Sequence, residues 1–463
     1  MDRLSPLDVS FLYFEGATTP MHVGGVGIFE PPPGGLDYDT FVRHVGERLR
    51  GVRRYRQKVR WVPGHLANPV WVDDTHFDIA YHVRRAVVPR PGSRAQLREL
   101  IARLMSRPLD RSRPLWEIYL VDGLEHGRFA VVTKSHHAMV DGVSAVDVGT
   151  LILDPTRVLP EPGPPNDWRP RPEPSWFELA ADAVADAVSR PPHVLDTLRA
   201  GVSDAQSTAQ RLRGVAAGAL AVAGTAARPA PDSQLNARIG AERRYTMLRT
   251  ELRDYRAIRK AHGGTVNDVV LATVAGALRH WLLTRGERVG PKTSVRAMVP
   301  VSVRAGTESA RLGNRVVPIF VDLPVGEPDP VVRLHQVGYA TAAHKRSGHA
   351  VGADHIVSLT GFAPPTLHSL AARLGHTFSR RLFNLVVTNV PGPQAPLYTA
   401  GARMLEAYPV APLAKGQAVS VGLTSYDGAV YYGLNADRDA MPDIDVLADC
   451  LGDALAELTE TTT

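Results

Sequence analysis

The stretch from residue 158 to 239 limits the fold of this chain more than any other. It opens VLPEPGPPNDWRPRPEPS, where proline recurs too often for a continuous helix or an interior strand. An Ala-rich, helix-like stretch follows, broken at Pro191-Pro192, and a second break, RPAPDSQLN, closes it near residue 236. Strand-like and helix-like patterns mix on both sides. The chain of 463 residues therefore reads as an N-terminal lobe (1–157), a linker with a helical crossover (158–239) and a C-terminal lobe (240–463). Such a length suits two cores of roughly 200 residues each.

Local patterns give each lobe both element types. Leu97, Leu100, Ile101 and Leu104 fall at helical spacing. So do Val270, Leu271, Val274, Leu278 and Leu282, on a helix that Asn267 or Thr265 could cap. FAVVT (129–133) and VRAMVPVSV (295–303) read as strands. Residues 419–423 and 429–434 read as a strand pair with Asp427-Gly428 in its turn.

Composition narrows the function classes. The net charge of +6 suits a phosphorylated substrate or an anionic surface, and the densest basic run is LRGVRRYRQKVR at 49–60. No zinc-finger, helix-turn-helix or RNA-binding pattern accompanies that run, so nucleic acid is not expected as a partner. The one cysteine, Cys450, cannot form an internal disulfide. No apolar run reaches the ~18–20 residues of a membrane-spanning helix, and the first residues do not read as a signal peptide. The longest candidate is GVAAGALAVAGTAA (214–227). The expected location is cytoplasmic, with peripheral contact to a membrane or lipid droplet through the crossover or the basic run.

The chemistry concentrates in RFAVVTKSHHAMVDGVSA (128–145), which carries His-His-x-x-x-Asp-Gly. If the strand continues to His137, alternation sends His136 and His137 to opposite faces. That argues against both binding one metal, and the His spacing of a zinc protease helix is absent, so no metal is expected. A single histidine facing a channel is the natural general base near neutral pH. His137 takes that role and His136 a structural one. Asp141 is expected to be structural, and the backbone N–H of Gly142 to point toward a developing oxyanion.

Beyond this motif, the sequence resembles the bacterial wax ester synthase/acyl-CoA:diacylglycerol acyltransferase family, especially actinobacterial triacylglycerol synthases. The resemblance rests on LSPLDVSFLYFE (4–15), Trp71-Val72-Asp73-Asp74 with Phe77-Asp78 and His82, Pro114-Leu115-Trp116, Asn267-Asp268, VPVSVR (299–304), Leu312-Gly313-Asn314 and Asn389-Val390-Pro391-Gly392-Pro393. It implies an α/β fold of two chloramphenicol-acetyltransferase-like lobes with a tunnel between them. It also implies acyl-CoA as a substrate rather than a bound cofactor, diacylglycerol as the acceptor and His137 as the base.

From the resemblance come the remaining site candidates. Pro114, Leu115 and Trp116 are expected in a wall near the tunnel. Asp268, Asn389, Pro391 and Gly392 are candidate substrate contacts. Asn267 is either a helix cap or an oxyanion contact. Asp141 is expected to pair with Arg304. The alternatives are a wax ester synthase using long-chain alcohols and a non-catalytic lipid-binding protein of the same fold. Acyl chain length and oligomeric state are not legible.

Overall fold

The computed structural model describes residues 1–139, 148–158, 168–189, 229–303, 315–346 and 382–462. Asp141, Gly142, Arg304, Leu312-Gly313-Asn314 and the apolar run 214–227 lie outside the described residues.

The strands are β1 (Asp2–Arg3), β2 (His22–Glu30), β3 (Gln57–Arg60), β4 (Val70–Asp73), β5 (Val83–Val87), β6 (Trp116–Asp122), β7 (Phe129–His136), β8 (Arg243–Glu251), β9 (Val295–Val303), β10 (Arg315–Leu323), β11 (Leu385–Pro391), β12 (Tyr398–Thr399), β13 (Ala402–Val410), β14 (Val419–Tyr426) and β15 (Ala429–Asp437). The α-helices are α1 (Pro6–Phe14), α2 (Tyr38–Leu49), α3 (Ile79–His82), α4 (Arg94–Ser106), α5 (Val148–Leu151), α6 (Trp176–Ser189), α7 (Leu252–His262), α8 (Val266–Thr284), α9 (Pro330–Arg346) and α10 (Ile444–Glu460).

Two six-stranded sheets form two lobes. The first runs β12-β13-β2-β7-β6-β5 and the second β10-β9-β11-β14-β15-β8. A small sheet, β1-β4-β3, flanks the first. Chain position does not divide the sheets where the proline-rich linker does. Residues 398–410 leave the second lobe and add β12 and β13 to the first sheet, where β13 pairs antiparallel with β2.

That returning strand is also the seam between the lobes. Three tyrosines of the second sheet donate to its carbonyls: Tyr245 to Pro409, Tyr426 to Met404 and Tyr431 to Leu405, each at 3.0 Å. Gly433 on β15 lies at the crossing, where an added Cβ would run into the Pro409 carbonyl oxygen. Arg98 on α4 reaches Asp445 and Thr246 of the second lobe, each at 2.6 Å.

Helix α8 is capped by Thr265, whose hydroxyl accepts from Asp268 N–H while the Asp268 carboxylate takes the Thr265 N–H. Asn267 is the second helical residue and not the cap. Every residue from Asp268 to Leu278 is buried, so α8 is a central helix covered all round rather than one with a single apolar face. The expected hairpin forms between β14 and β15, with φ of 43° at Asp427 and 83° at Gly428, the left-handed pair that a tight two-residue turn needs.

Candidate active site

Strand β7 is central in the first sheet, between β2 and β6, and all eight of its residues are buried. Its β-branched and aromatic residues suit that position. The strand ends at His136, one residue earlier than the sequence suggests, and His137 opens a short 3₁₀ turn. The His136 N–H is held by Leu115 O at 2.9 Å and the His137 N–H by Met21 O at 2.8 Å. Both neighbouring segments thus fix the backbone of the pair.

The two rings part. His136 is fully buried. Its Nδ1 accepts from Ala138 N–H at 3.0 Å, which leaves the proton on Nε2, 3.6 Å from Glu15 Oε2. His137 is half-buried and stacks on Phe11, ring centroids 4.0 Å apart and planes 18° from parallel.

Glu15 is the hub beneath the pair. Its carboxylate meets His136, stands 3.4 Å from His22 Nε2, and accepts from Arg111 Nε at 2.7 Å. Burial works against its charge, but the neighbouring His136 and His22 rings and the Arg111 charge outweigh it. The carboxyl is held well below the usual carboxylate range. Burial pushes the His22 imidazole down to about 4, against the opposing pull of Glu15.

Phe11 and Glu15 come from α1, a helix built by local chemistry. Ser5 and Asp8 form a reciprocal capping box, with Pro6 at the first helical position. The Glu15 N–H closes the last turn on Phe11 O at 3.1 Å. Neither residue stands out as functional in the sequence. The available signal was their four-residue spacing after a Ser-Pro-Leu-Asp helix start.

The other candidates divide between core and second lobe. Pro114, Leu115 and Trp116 are buried. The Trp116 indole N–H donates to Tyr55 O at 2.8 Å, and its ring stacks on His82 at 4.5 Å. Asp268 is buried, and its carboxylate is occupied by the Thr265 cap and by the Thr341 hydroxyl at 2.6 Å. Asn267 and Asn389 meet, with Asn389 Nδ2 donating to Asn267 Oδ1 at 3.3 Å. Pro391 is exposed at the end of β11, and Gly392 passes close to Ser425 O.

Two cavities among the described residues do not contain His137. One is bordered by Pro231, Asn236 and Val295, the other by Val88, Pro91 and Leu124. Immediately after Met139 the motif leaves the described residues, so the expected tunnel is not traced by them. Among the described residues no cluster of His, Cys, Asp and Glu could hold a metal ion. None of their helices is long and apolar enough to cross a membrane.

Most of the basic run is committed to ion pairs. Arg53 pairs with Asp73, Arg54 with Asp2, and Lys58 and Arg60 with Glu173, while Arg56 is buried.

Known proteins resemble this chain in sequence and in fold. Residues 4–270 match the wax ester synthase/diacylglycerol acyltransferase catalytic domain, and residues 312–459 match the WS/DGAT C-terminal domain. A Mycobacterium tuberculosis protein named "Probable diacylglycerol O-acyltransferase tgs2" is 34% identical, covering 99% of each chain. Another from that organism, named as tgs3, is 46% identical over 56% of this chain and 95% of its own. The solved wax ester synthase/diacylglycerol acyltransferase from Marinobacter aquaeolei VT8 superposes with a TM-score of 0.71 at 29% identity over the whole of both chains. The first condensation domain of the calcium-dependent antibiotic synthetase shares the fold, with a TM-score of 0.57 at 15% identity, over 99% of this chain and 95% of its own. The chain belongs to the wax ester synthase/diacylglycerol acyltransferase family.

Proposed function

We propose that this chain is a diacylglycerol O-acyltransferase that moves a long-chain acyl group from acyl-CoA to diacylglycerol, forming triacylglycerol, with His137 as general base. The carrying observation is the His136-His137 pair at the end of the central strand, one ring buried beside Glu15 and the other stacked on Phe11, within a match to the family's catalytic domain. His137 removes the acceptor's hydroxyl proton as the oxygen bonds to the thioester carbon. The tetrahedral intermediate collapses by breaking the carbon–sulfur bond, and the imidazolium returns its proton to the departing thiolate.

Gly142 N–H and Asn267 are the proposed oxyanion contacts. The place of Asn267 in the first turn of α8 supports its share, because partial positive charge gathers at a helix N-terminus. Asp141 pairs with Arg304 in this reading and holds the loop after His137. Asn389, Pro391 and Gly392 border the second-lobe side of the substrate path. The acceptor is a lipid, so the enzyme works peripherally at the inner face of a membrane or on a lipid droplet. The exposed Trp176 and Phe177 at the start of α6 support contact there better than the ion-paired basic run.

The test is purified protein with palmitoyl-CoA and either diacylglycerol or hexadecanol. Triacylglycerol as the main product supports the reading, and wax ester as the main product moves the assignment to the alcohol acceptor. His137→Ala should lower turnover per folded molecule by ~10²–10⁴-fold. Near-normal turnover in that variant would remove His137 from the chemistry.

A further inference from the structure

We propose that Phe11 is a positioning residue for this reaction, its ring face holding the His137 imidazole in place and stabilising it once it has taken the acceptor's proton. The inference rests on His137 being the general base.

The rings are nearly parallel, with centroids 4.0 Å apart. A phenyl ring is negative on its faces and positive at its edge. A neutral imidazole gains only packing from such a face. An imidazolium gains electrostatic attraction as well, because it is a cation within about 6 Å of the ring centroid. The contact therefore strengthens as the hydroxyl proton arrives and weakens as it passes to the CoA thiolate. An interaction stronger in the transition state than in the ground state accelerates the step, whereas one equal in both only tightens binding.

The fold gives Phe11 the rigidity this task needs. The capping box at Ser5 fixes the start of α1, and the edge of Phe14 supports the Phe11 ring at 6.3 Å and 82°. Four residues beyond Phe11, Glu15 takes the other histidine. One turn of one helix therefore holds both rings, each by a different interaction. The opening block LSPLDVSFLYFE thereby acquires a task in the chemistry.

The experiment measures kcat and KM of the full-length protein with palmitoyl-CoA and a diacylglycerol. Rates are normalised to folded protein by circular dichroism. Phe11→Leu keeps an apolar contact and removes the π face. Phe11→Tyr keeps both, and Phe11→Met is a second non-aromatic variant should the leucine variant not fold. We expect Phe11→Leu or Phe11→Met to lose about tenfold in kcat, with both KM values within about twofold of wild type. Phe11→Tyr should retain most of the wild-type kcat. An unchanged kcat in the non-aromatic variants, an equal fall in Phe11→Tyr, or a loss carried by KM would each overturn the assignment. His137→Ala measured alongside separates the two readings. Normal turnover there removes the base itself, whereas lost turnover there with normal Phe11→Leu removes only this inference.

Discussion

His136 presents its Nε2 to Glu15 Oε2 at 3.6 Å, and its Nδ1 accepts the Ala138 N–H at 3.0 Å. The second bond sets the tautomer, so the first directs an N–H at a carboxylate. A residue at the end of the first helix thereby orients a ring more than 100 positions away, next to the proposed base.

Glu15→Gln should be destabilising without changing side-chain shape. It leaves Arg111 without its carboxylate and weakens the contacts with the His136 and His22 rings. Hydrogen bonds to charged groups contribute ~1.5–3 kcal/mol, and we expect a loss of that size in urea unfolding. The pH dependence follows from the direction of the shift. A carboxyl with a lower pKa in the fold than in the unfolded chain stabilises the fold above its unfolded value, near ~4.3. That contribution is lost as the pH falls through the folded value. The advantage of wild type over Glu15→Gln should hold from about pH 6 to 8 and shrink below about pH 4. An advantage that grows on acidification would contradict the assignment.

His22 should set much of the slope on the acid side of neutrality. Its side chain is 2% exposed, and burial lowers its pKa from 6.5 to about 4. Between those values the unfolded chain binds a proton that the folded chain does not, so stability falls as the pH drops. The accumulated loss is about 3 kcal/mol, at ~1.4 kcal/mol per pH unit. His22→Gln should flatten stability between pH 6.5 and 4 relative to wild type. Parallel profiles for the two proteins would show that His22 is not the titrating group.

What the sequence revealed depended on how local each cause was. The Asp427-Gly428 turn was legible because both residues readily adopt positive φ. Strand alternation was a poor guide to the two histidine rings, because β7 stops at His136 and His137 already belongs to a 3₁₀ turn. The return of β13 to the first sheet was not legible, since its partner β2 lies nearly 400 residues away and no local pattern encodes that pairing. Phe11 and Glu15 were missed for the same reason, because their partners His137 and His136 are set by packing across the lobe.

Trp116→Phe separates a core role from a substrate wall. The substitution leaves the Tyr55 carbonyl without its 2.8 Å indole donor in a fully buried place. Losing a buried hydrogen bond of this kind costs ~0.5–1.5 kcal/mol, so thermal and urea midpoints should fall. The Trp116 ring is enclosed by Tyr55 and His82, so KM for acyl-CoA and kcat per folded molecule should stay at wild-type values. A rise in KM for either substrate would place Trp116 on the substrate path instead.

Gly433→Ala tests whether the seam between the lobes requires a glycine. The residue sits on β15 where it crosses β13, and an alanine Cβ there would overlap the Pro409 carbonyl oxygen and crowd the Tyr245 hydroxyl. Both obstacles are fixed. One is strand backbone, and the other is held to Pro409 O by a 3.0 Å hydrogen bond. Relief requires the strands to separate, which also strains the Tyr426 and Tyr431 bonds to β13. Overpacking of this kind typically costs ~1–3 kcal/mol and occasionally more. We expect the upper end here, seen as a lower melting temperature and less soluble protein. Gly452→Ala on α10 is the control, since nothing lies within 4 Å of the Cβ position there. Replacing a helical glycine by alanine should stabilise by up to ~1 kcal/mol. Opposite signs for the two substitutions would locate the effect at the strand crossing, whereas a harmless Gly433→Ala would mean that the sheets do not meet as closely as the seam requires.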